Sequence, residues 1–355
     1  MFDIWLPLLG GLGLLILGGE FLVRGAVRVA ERFGVSPLVI GLTLVGFGTS
    51  APELVTSVRA ALSGAPGIAY GNIVGSNIAN ILLIAGLSSL IAPIAVHSAA
   101  LRRDGTVMLA AAVVFAAMAA LMPVTRTAGI FFVLALAGYI LFAFRQERTA
   151  TAAAVSAGGP SGGVDGPAAA DRAEGHGAVF EKAAALETLD PALAPADPAP
   201  APADRPGLWP SLAAALAGLA LVAAGGGLLV GGAVQLARSL AVSETVIGLT
   251  IVAIGTSAPE LATSVTAALR RQGEMAFGNI VGSNIYNILG IGGVTAAIAP
   301  SPVPAQIVGF DNPVMLVVSL ALIGMAWTGM RISRREGGLL LAGYGAYLWW
   351  LWPAA

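Results

Sequence analysis

The feature that narrows the fold most is a set of ten apolar stretches, each close to the roughly 20 residues a helix needs to cross a bilayer. Five lie at about 4-23, 37-62, 68-92, 106-123 and 127-144, and five more at about 208-236, 244-269, 275-299, 313-330 and 337-352. Only 10% of the residues are charged and 57% are hydrophobic, with a mean hydropathy of +0.86. Soluble domains carry about 25% charged residues, so an ordinary water-soluble enzyme is excluded. The expected fold class is an all-α polytopic membrane protein with ten transmembrane helices. The first stretch is read as a retained helix, because Asp3 replaces the basic start of a signal peptide and Glu20 and Arg24 stand where a cleavage site would be. With 18 Lys+Arg against 19 Asp+Glu, the chain has no basic excess for nucleic acid. It has no cysteine and two histidines, which removes disulfides, thiolate sites and His-rich metal centres. His97 falls at a helix end and His176 in the polar middle segment, so neither is read as a ligand or a base.

Residues 146-207 have another composition, with runs such as AGGPSGGVDGPAAA and DPALAPADPAPAPADRP. Such a stretch cannot bury a core and is expected to be a disordered linker, with one short helix near 178-189. It separates a first five-helix unit, 1-145, from a second, 208-355. Alternating the sides of the ten stretches puts 15 of the Lys and Arg residues on one side and 3 on the other, the three being Arg59, Arg126 and Arg238. The positive-inside rule then makes the linker cytoplasmic and both termini external, in a multi-pass protein of the plasma membrane, a bacterial inner membrane. An odd number of helices per unit means that the two units enter the membrane in opposite senses.

The units repeat each other. Residues 41-57 (GLTLVGFGTSAPELVTS) and 248-264 (GLTIVAIGTSAPELATS) agree at 13 of 17 positions, at an offset of 207. Residues 71-82 (GNIVGSNIANIL) and 278-289 (GNIVGSNIYNIL) agree at 11 of 12 at the same offset. Paired inverted repeats with interrupted apolar segments are the pattern of a secondary transporter with its site near the midplane.

Glu53 and Glu260 lie near the middle of apolar stretches, where an acid costs about 2.5–3.5 kcal/mol to insert. No Lys or Arg occurs in the central parts of these segments, so a bound cation is the expected compensation. Thr49, Ser50, Thr56 and Ser57 share the helical face of Glu53. Pro52, with Gly46 and Gly48, should break the helix near 46-52 and free carbonyls toward a cavity. Gly255, Thr256, Ser257 and Pro259 repeat the arrangement around Glu260. Asn72, Ser76 and Asn80 recur every four residues, as do Asn279, Ser283 and Asn287. Asn77 and Asn284 fall off that face and are expected to bond between helices. Gly71 with Gly75, and Gly278 with Gly282, should allow close helix approach. Oxygen donors without nitrogen or sulfur suit a hard cation such as Ca²⁺ or Na⁺. Two carboxylates balance one Ca²⁺, and Na⁺ in its place excludes it electrostatically, which is a physical basis for exchange.

At these residues the chain resembles the calcium/cation antiporter superfamily, in particular the prokaryotic sodium/calcium exchangers; GTSAPE and GNIVGSNIxNIL, each present twice, carry the resemblance. It implies exchange of Na⁺ for Ca²⁺ by alternating access, with the ions as substrates and no cofactor, no enzyme activity and no obligatory protein partner. By the resemblance the site lies on helices 2, 3, 7 and 8. Glu53 and Glu260 would ligate Ca²⁺, with backbone carbonyls of Thr49 and Thr256. Flanking Na⁺ sites would use Ser50, Ser76, Ser257 and Ser283 with carbonyls near Gly46 and Ala253, and Asn80 and Asn287 would line the middle. Helices 1 and 6 would slide across the rest. Some relatives carry Asp at the position of Asn287, which leaves ion stoichiometry and proton or K⁺ involvement open. Proton-coupled Ca²⁺ exchange at the same site is the second reading, and a cation channel the third; an inverted repeat within one chain favours a carrier over a symmetric multisubunit filter.

Overall fold

The computed structural model describes residues 2–32, 50–121, 123–157 and 208–352. Gly46, Gly48, Thr49, the first part of the stretch at 37-62 and most of the linker lie outside the described residues. The described chain forms α1 (Phe2–Arg32), α2 (Ala51–Leu62), α3 (Pro66–Ile91), β1 (Ile94–Ala95), α4 (Leu101–Leu121) and α5 (Arg126–Ala157). After the linker come α6 (Leu208–Ser239), α7 (Glu244–Thr256), α8 (Ala258–Leu269), α9 (Gly273–Ile298), α10 (Ile307–Gly329), β2 (Arg331–Ile332) and α11 (Arg334–Leu351).

Among the described residues, seven helices are long and apolar enough to cross a membrane, or up to eight if the bent pair α7–α8 is one span. Ten were expected. One of the others is cut short because part of 37-62 is not described. Another, α11, opens on Arg334, Arg335 and Glu336, so its apolar portion is shorter than its length. Helix α5 continues to Ala157, past residue 145. The all-helical expectation misses one short ribbon. Ile94 pairs with Ile332 and Ala95 with Arg331 in antiparallel register, and Val96 N–H donates to Met330 O at 2.9 Å. The ribbon ties the end of α3 to the start of α11.

The two central helices are α3 and α9. The most apolar windows of these two are 83% and 89% buried, against 33–39% for the other single-helix spans. Their residues therefore face protein on all sides, whereas Leu6, Leu9, Phe131, Leu134, Val317 and Leu320 remain exposed on the peripheral helices, as a lipid-facing surface requires. Trp209, Trp349 and Trp350 are strongly exposed at helix ends, where an interfacial aromatic belt belongs.

Helices α1 and α6 run antiparallel in close contact. Glycines recur every seven residues at Gly11, Gly18 and Gly25, and at Gly218, Gly225 and Gly232. The second set follows the first at the same offset of 207. A seven-residue period keeps one face turned to the partner, and a methyl group at these positions would strike backbone. A Cβ on Gly11 would sit 2.6 Å from Leu229 N, on Gly18 2.7 Å from Val222 N, and on Gly218 2.3 Å from Leu22 N. Inside a bilayer such packing, rather than the hydrophobic effect, holds helices together. At 31 and 32 residues these helices reach about 47 Å, well beyond a hydrocarbon core of about 30 Å, so they must tilt or project. They share one hydrophobic cluster with the ends of α2, α3 and α7, separate from the larger core around α3, α4, α9, α10 and α11.

Candidate ion-binding site

The site is built on two helix starts. Ser50 is the N-cap of α2, Pro52 follows in its first turn and Glu53 completes that turn. Ser257, Pro259 and Glu260 do the same for α8. Proline fits the first turn because its missing N–H has no intrahelical partner there anyway. It also produces the expected break: α7 stops at Thr256, α8 starts at Ala258, and the two are bent by 51°. Each glutamate thus sits at the positive end of a helix dipole.

The halves cross at the centre. Ser257 Oγ donates to Glu53 Oε1 at 3.1 Å, and Ser50 Oγ donates to Glu260 Oε1 at 3.3 Å. Glu53 and Glu260 are 1% and 2% exposed, so both acids lie in one buried place, each served by a serine from the opposite half. Two asparagines brace the glutamate turns. Asn72 Nδ2 donates to Glu53 O (3.2 Å) and Ser57 Oγ (2.9 Å), and Asn279 Nδ2 donates to Glu260 O (3.2 Å) and Ser264 Oγ (2.8 Å). Thr256 Oγ1 donates to Asn72 Oδ1 at 2.9 Å, which joins the broken α7 to α3.

Ser76, Asn80, Ser283 and Asn287 are all buried to within 1%. Asn80 opens a π-helical turn in α3 that packs against α8; Asn287 lies in the matching turn of α9, which packs against α2. Ser76 Oγ, Asn80 Oδ1 and Asn287 Oδ1 have no hydrogen-bond partner among the described residues. A buried oxygen left so costs about 1–3 kcal/mol, a cost that a ligated cation removes. These donors fit a hard cation, and the two glutamates beside them supply the acidic charge. The Ala253 carbonyl accepts from Ser257 N at 3.0 Å and Thr256 Oγ1 at 3.4 Å, as part of the helix end. Thr49 and Gly46 are outside the described residues.

Two expectations need correction. Asn72 shares a face with Ser76 and Asn80 but is engaged as a strut, because its part of α3 lies against α2 and only the later turns of α3 reach α8. Asn77, expected to bond between helices, donates to Ile73 O within its own helix at 2.7 Å, since an amide at i reaches the carbonyl at i−4 without a neighbour. Asn284 does bond between helices, accepting from Asn80 Nδ2 at 3.1 Å. Gly71 and Gly75 allow the close approach expected of them, against Gly248 and Leu249 of α7.

The sodium/calcium exchanger protein family matches residues 4–145 and 210–352, that is, both units without the linker. The chain belongs to this family. The exchanger is 34% identical to the sodium/calcium exchanger MaX1 of Methanosarcina acetivorans over 363 residues, covering 97% of each chain. It is 33% identical to the inner membrane protein YrbG of Escherichia coli over 350 residues, covering 98% of this chain and 97% of that one. Among solved structures it resembles the sodium-calcium exchanger NCX_Mj soaked with Na⁺ and Sr²⁺, with a TM-score of 0.58, 30% identity and 98% of each chain covered. It is a transporter, not an enzyme, in a family of cation antiporters that are multi-pass membrane proteins.

The exchanger has a second symmetric pair of buried acids that the sequence reading passed over. Asp104 and Asp311 are both 0% exposed and again 207 apart. Tyr139 OH donates to Asp104 Oδ1 at 2.9 Å, and Tyr347 OH to Asp311 Oδ1 at 3.0 Å. Arg103 Nε also donates to Asp104, at 2.7 Å, whereas Phe310 occupies the corresponding place before Asp311. Extending the repeat comparison beyond its two strongest motifs would have found both acids.

Proposed function

We propose that this chain is a Na⁺/Ca²⁺ antiporter that carries its ions at a site formed by Glu53 and Glu260, with Ser50, Ser76, Asn80, Thr256, Ser257, Ser283 and Asn287 around them. The crossed serine–glutamate bonds are the observation that carries this reading. They set two carboxylates of opposite halves together at two helix N-termini, beside neutral oxygens that lack protein donors. A Ca²⁺ there neutralises both acids; replacing it with Na⁺ fills the same oxygens, and charge repulsion in a low-dielectric site keeps the two from binding together.

In this reading the halves are inverted five-helix repeats, with the first part of 37-62 completing the second helix, and the linker and its arginines are cytoplasmic. Alternating access comes from α1 and α6 moving as one body. The support is their glycine-to-backbone packing on each other and their side-chain approach to the site helices. Leu12 lies over Gly255 at the α7 break, and Val55 of α2 lies against Gly226 of α6. Names and structures of the relatives support Na⁺ and Ca²⁺ as substrates and a plasma-membrane location.

The test is uptake of radiolabelled Ca²⁺ into proteoliposomes with Na⁺, K⁺ and H⁺ gradients imposed one at a time. Uptake driven by Na⁺ alone is the expected result. Uptake driven by a pH gradient with Na⁺ omitted would replace this reading with Ca²⁺/H⁺ exchange, which the same two carboxylates can perform by taking up protons.

A further inference from the structure

Away from the ion site, a cavity of about 480 Å³ opens at one end of the bundle, where α3 and α8 finish and α11 begins. Its lining is apolar at Ile91, Pro93 and Leu269 and cationic at Arg271 and Arg334. Arg334 Nη2 donates to Ile91 O at 2.9 Å, which fixes the guanidinium at the cavity mouth and leaves its other N–H donors for a ligand. No ion pair to Arg271 or Arg334 occurs among the described residues. The acids that follow these arginines in sequence are engaged elsewhere: Glu274 with His97 at 3.1 Å, and Glu336 with the Ser333 N-cap at 2.7 Å.

The backbone at Arg271 is the second observation. Its φ is +60°, a left-handed conformation that glycine takes freely and an L side chain only with strain. The repeat supplies the control. Gly64 holds the same place in the first unit, with φ +75°. The surrounding bonds correspond too: Arg271 N to Ala268 O and Gln272 N to Ala267 O match Gly64 N to Ala61 O and Ala65 N to Ala60 O. The turn favours a glycine, and the first unit has one; Ala241 holds the same turn after α6, with φ +54°. The second unit keeps an arginine there, against the backbone's preference, and places it in the cavity.

Ligand class follows from the lining. Two arginines suit a phosphate. Leu90 and Leu269, 42% and 66% exposed, continue the cavity's apolar side onto the lipid-facing surface. A free phosphate would have no use for that side; an amphipathic ligand would. We propose that the cavity is a headgroup site for an anionic phospholipid, its phosphate held between Arg271 and Arg334 and its acyl chains lying along Leu90 and Leu269.

The test is binding of phosphatidylglycerol to the purified full-length chain in neutral detergent, read by native mass spectrometry and by the lipid-dependent rise in unfolding temperature. Arg271→Gly and Arg334→Gln should each weaken binding about five- to tenfold. Arg126→Gln, whose arginine reaches Ile298 O at the opposite end, should leave it unchanged. Arg271→Gly relieves the backbone strain, so without lipid it should unfold at the wild-type temperature or higher, which separates lost binding from lost folding. Wild-type binding by Arg271→Gly overturns the proposal. So does equal binding of phosphatidylcholine, and so does displacement of the lipid by inorganic phosphate at equal concentration.

Discussion

At the centre of the molecule the two halves are interchangeable: Ser257 serves Glu53 as Ser50 serves Glu260, and Asn72 and Asn279 brace the two glutamate turns through the same partners at matching distances. Some distance away the halves part. Asp104 receives both Tyr139 and Arg103, while Asp311 receives Tyr347 and, among the described residues, no cation. Gly64 and Arg271 differ in the same way. Under the proposed function, symmetry persists where both halves present equivalent groups to one ion, and lapses where each half answers only to its own surroundings.

The largest effect expected concerns the symmetric pair. Glu53→Gln and Glu260→Gln should each lower Ca²⁺ uptake in proteoliposomes by roughly a hundredfold or more, since either leaves a divalent ion with half its compensating charge in a buried site. Full activity in one of them would make the halves inequivalent and undo the site. The asymmetric acids come next, in unfolding experiments. Asp104→Asn removes the charge opposite Arg103, whose side chain is 11% exposed and keeps its bond to Gln146, and should cost about 1.5–3 kcal/mol. Asp311→Asn keeps an acceptor for Tyr347 and should change stability by under about 1 kcal/mol; equal losses would mean that Arg103 is not what distinguishes them.

Smaller again is the α1–α6 seam. Gly18→Leu or Gly218→Leu forces a side chain onto backbone 2.7 or 2.3 Å away and should cost about 1–3 kcal/mol. Gly13→Leu and Gly227→Leu, on the same helices with open space beside them, should be tolerated. The serines come last. Ser50→Ala and Ser257→Ala each remove one hydrogen bond to a carboxylate, worth about 1.5 kcal/mol, and should weaken Ca²⁺ binding by about tenfold and to the same extent. A marked difference between them, measured by isothermal titration, would break the symmetry at its centre.

Much of this was legible in the sequence because it is local or periodic. Apolar length announces a helix whatever it packs on, and Pro259 stops α7 by lacking an N–H. The duplicated GTSAPE and GNIVGSNI segments mark their residues as a set. What stayed hidden depends on how helices cross. Asn72, Ser76 and Asn80 share a face by spacing alone; which of them meets a carbonyl and which is left with an open oxygen is decided by the helix that each turn of α3 packs on. The ribbon between Ile94 and Ile332 joins two loops far apart in sequence, and nothing in either pair of residues announces it. The left-handed turn at Arg271 could be read only by setting it beside Gly64.

The crossed serine bonds have an evolutionary consequence. A duplicated gene usually frees one copy to diverge, but here a mutation at Ser50 is felt by Glu260 and one at Ser257 by Glu53. Selection on either copy is therefore selection on both, and the first motif has stayed nearly the same in the two while Arg103 and Arg271 were left to individual histories.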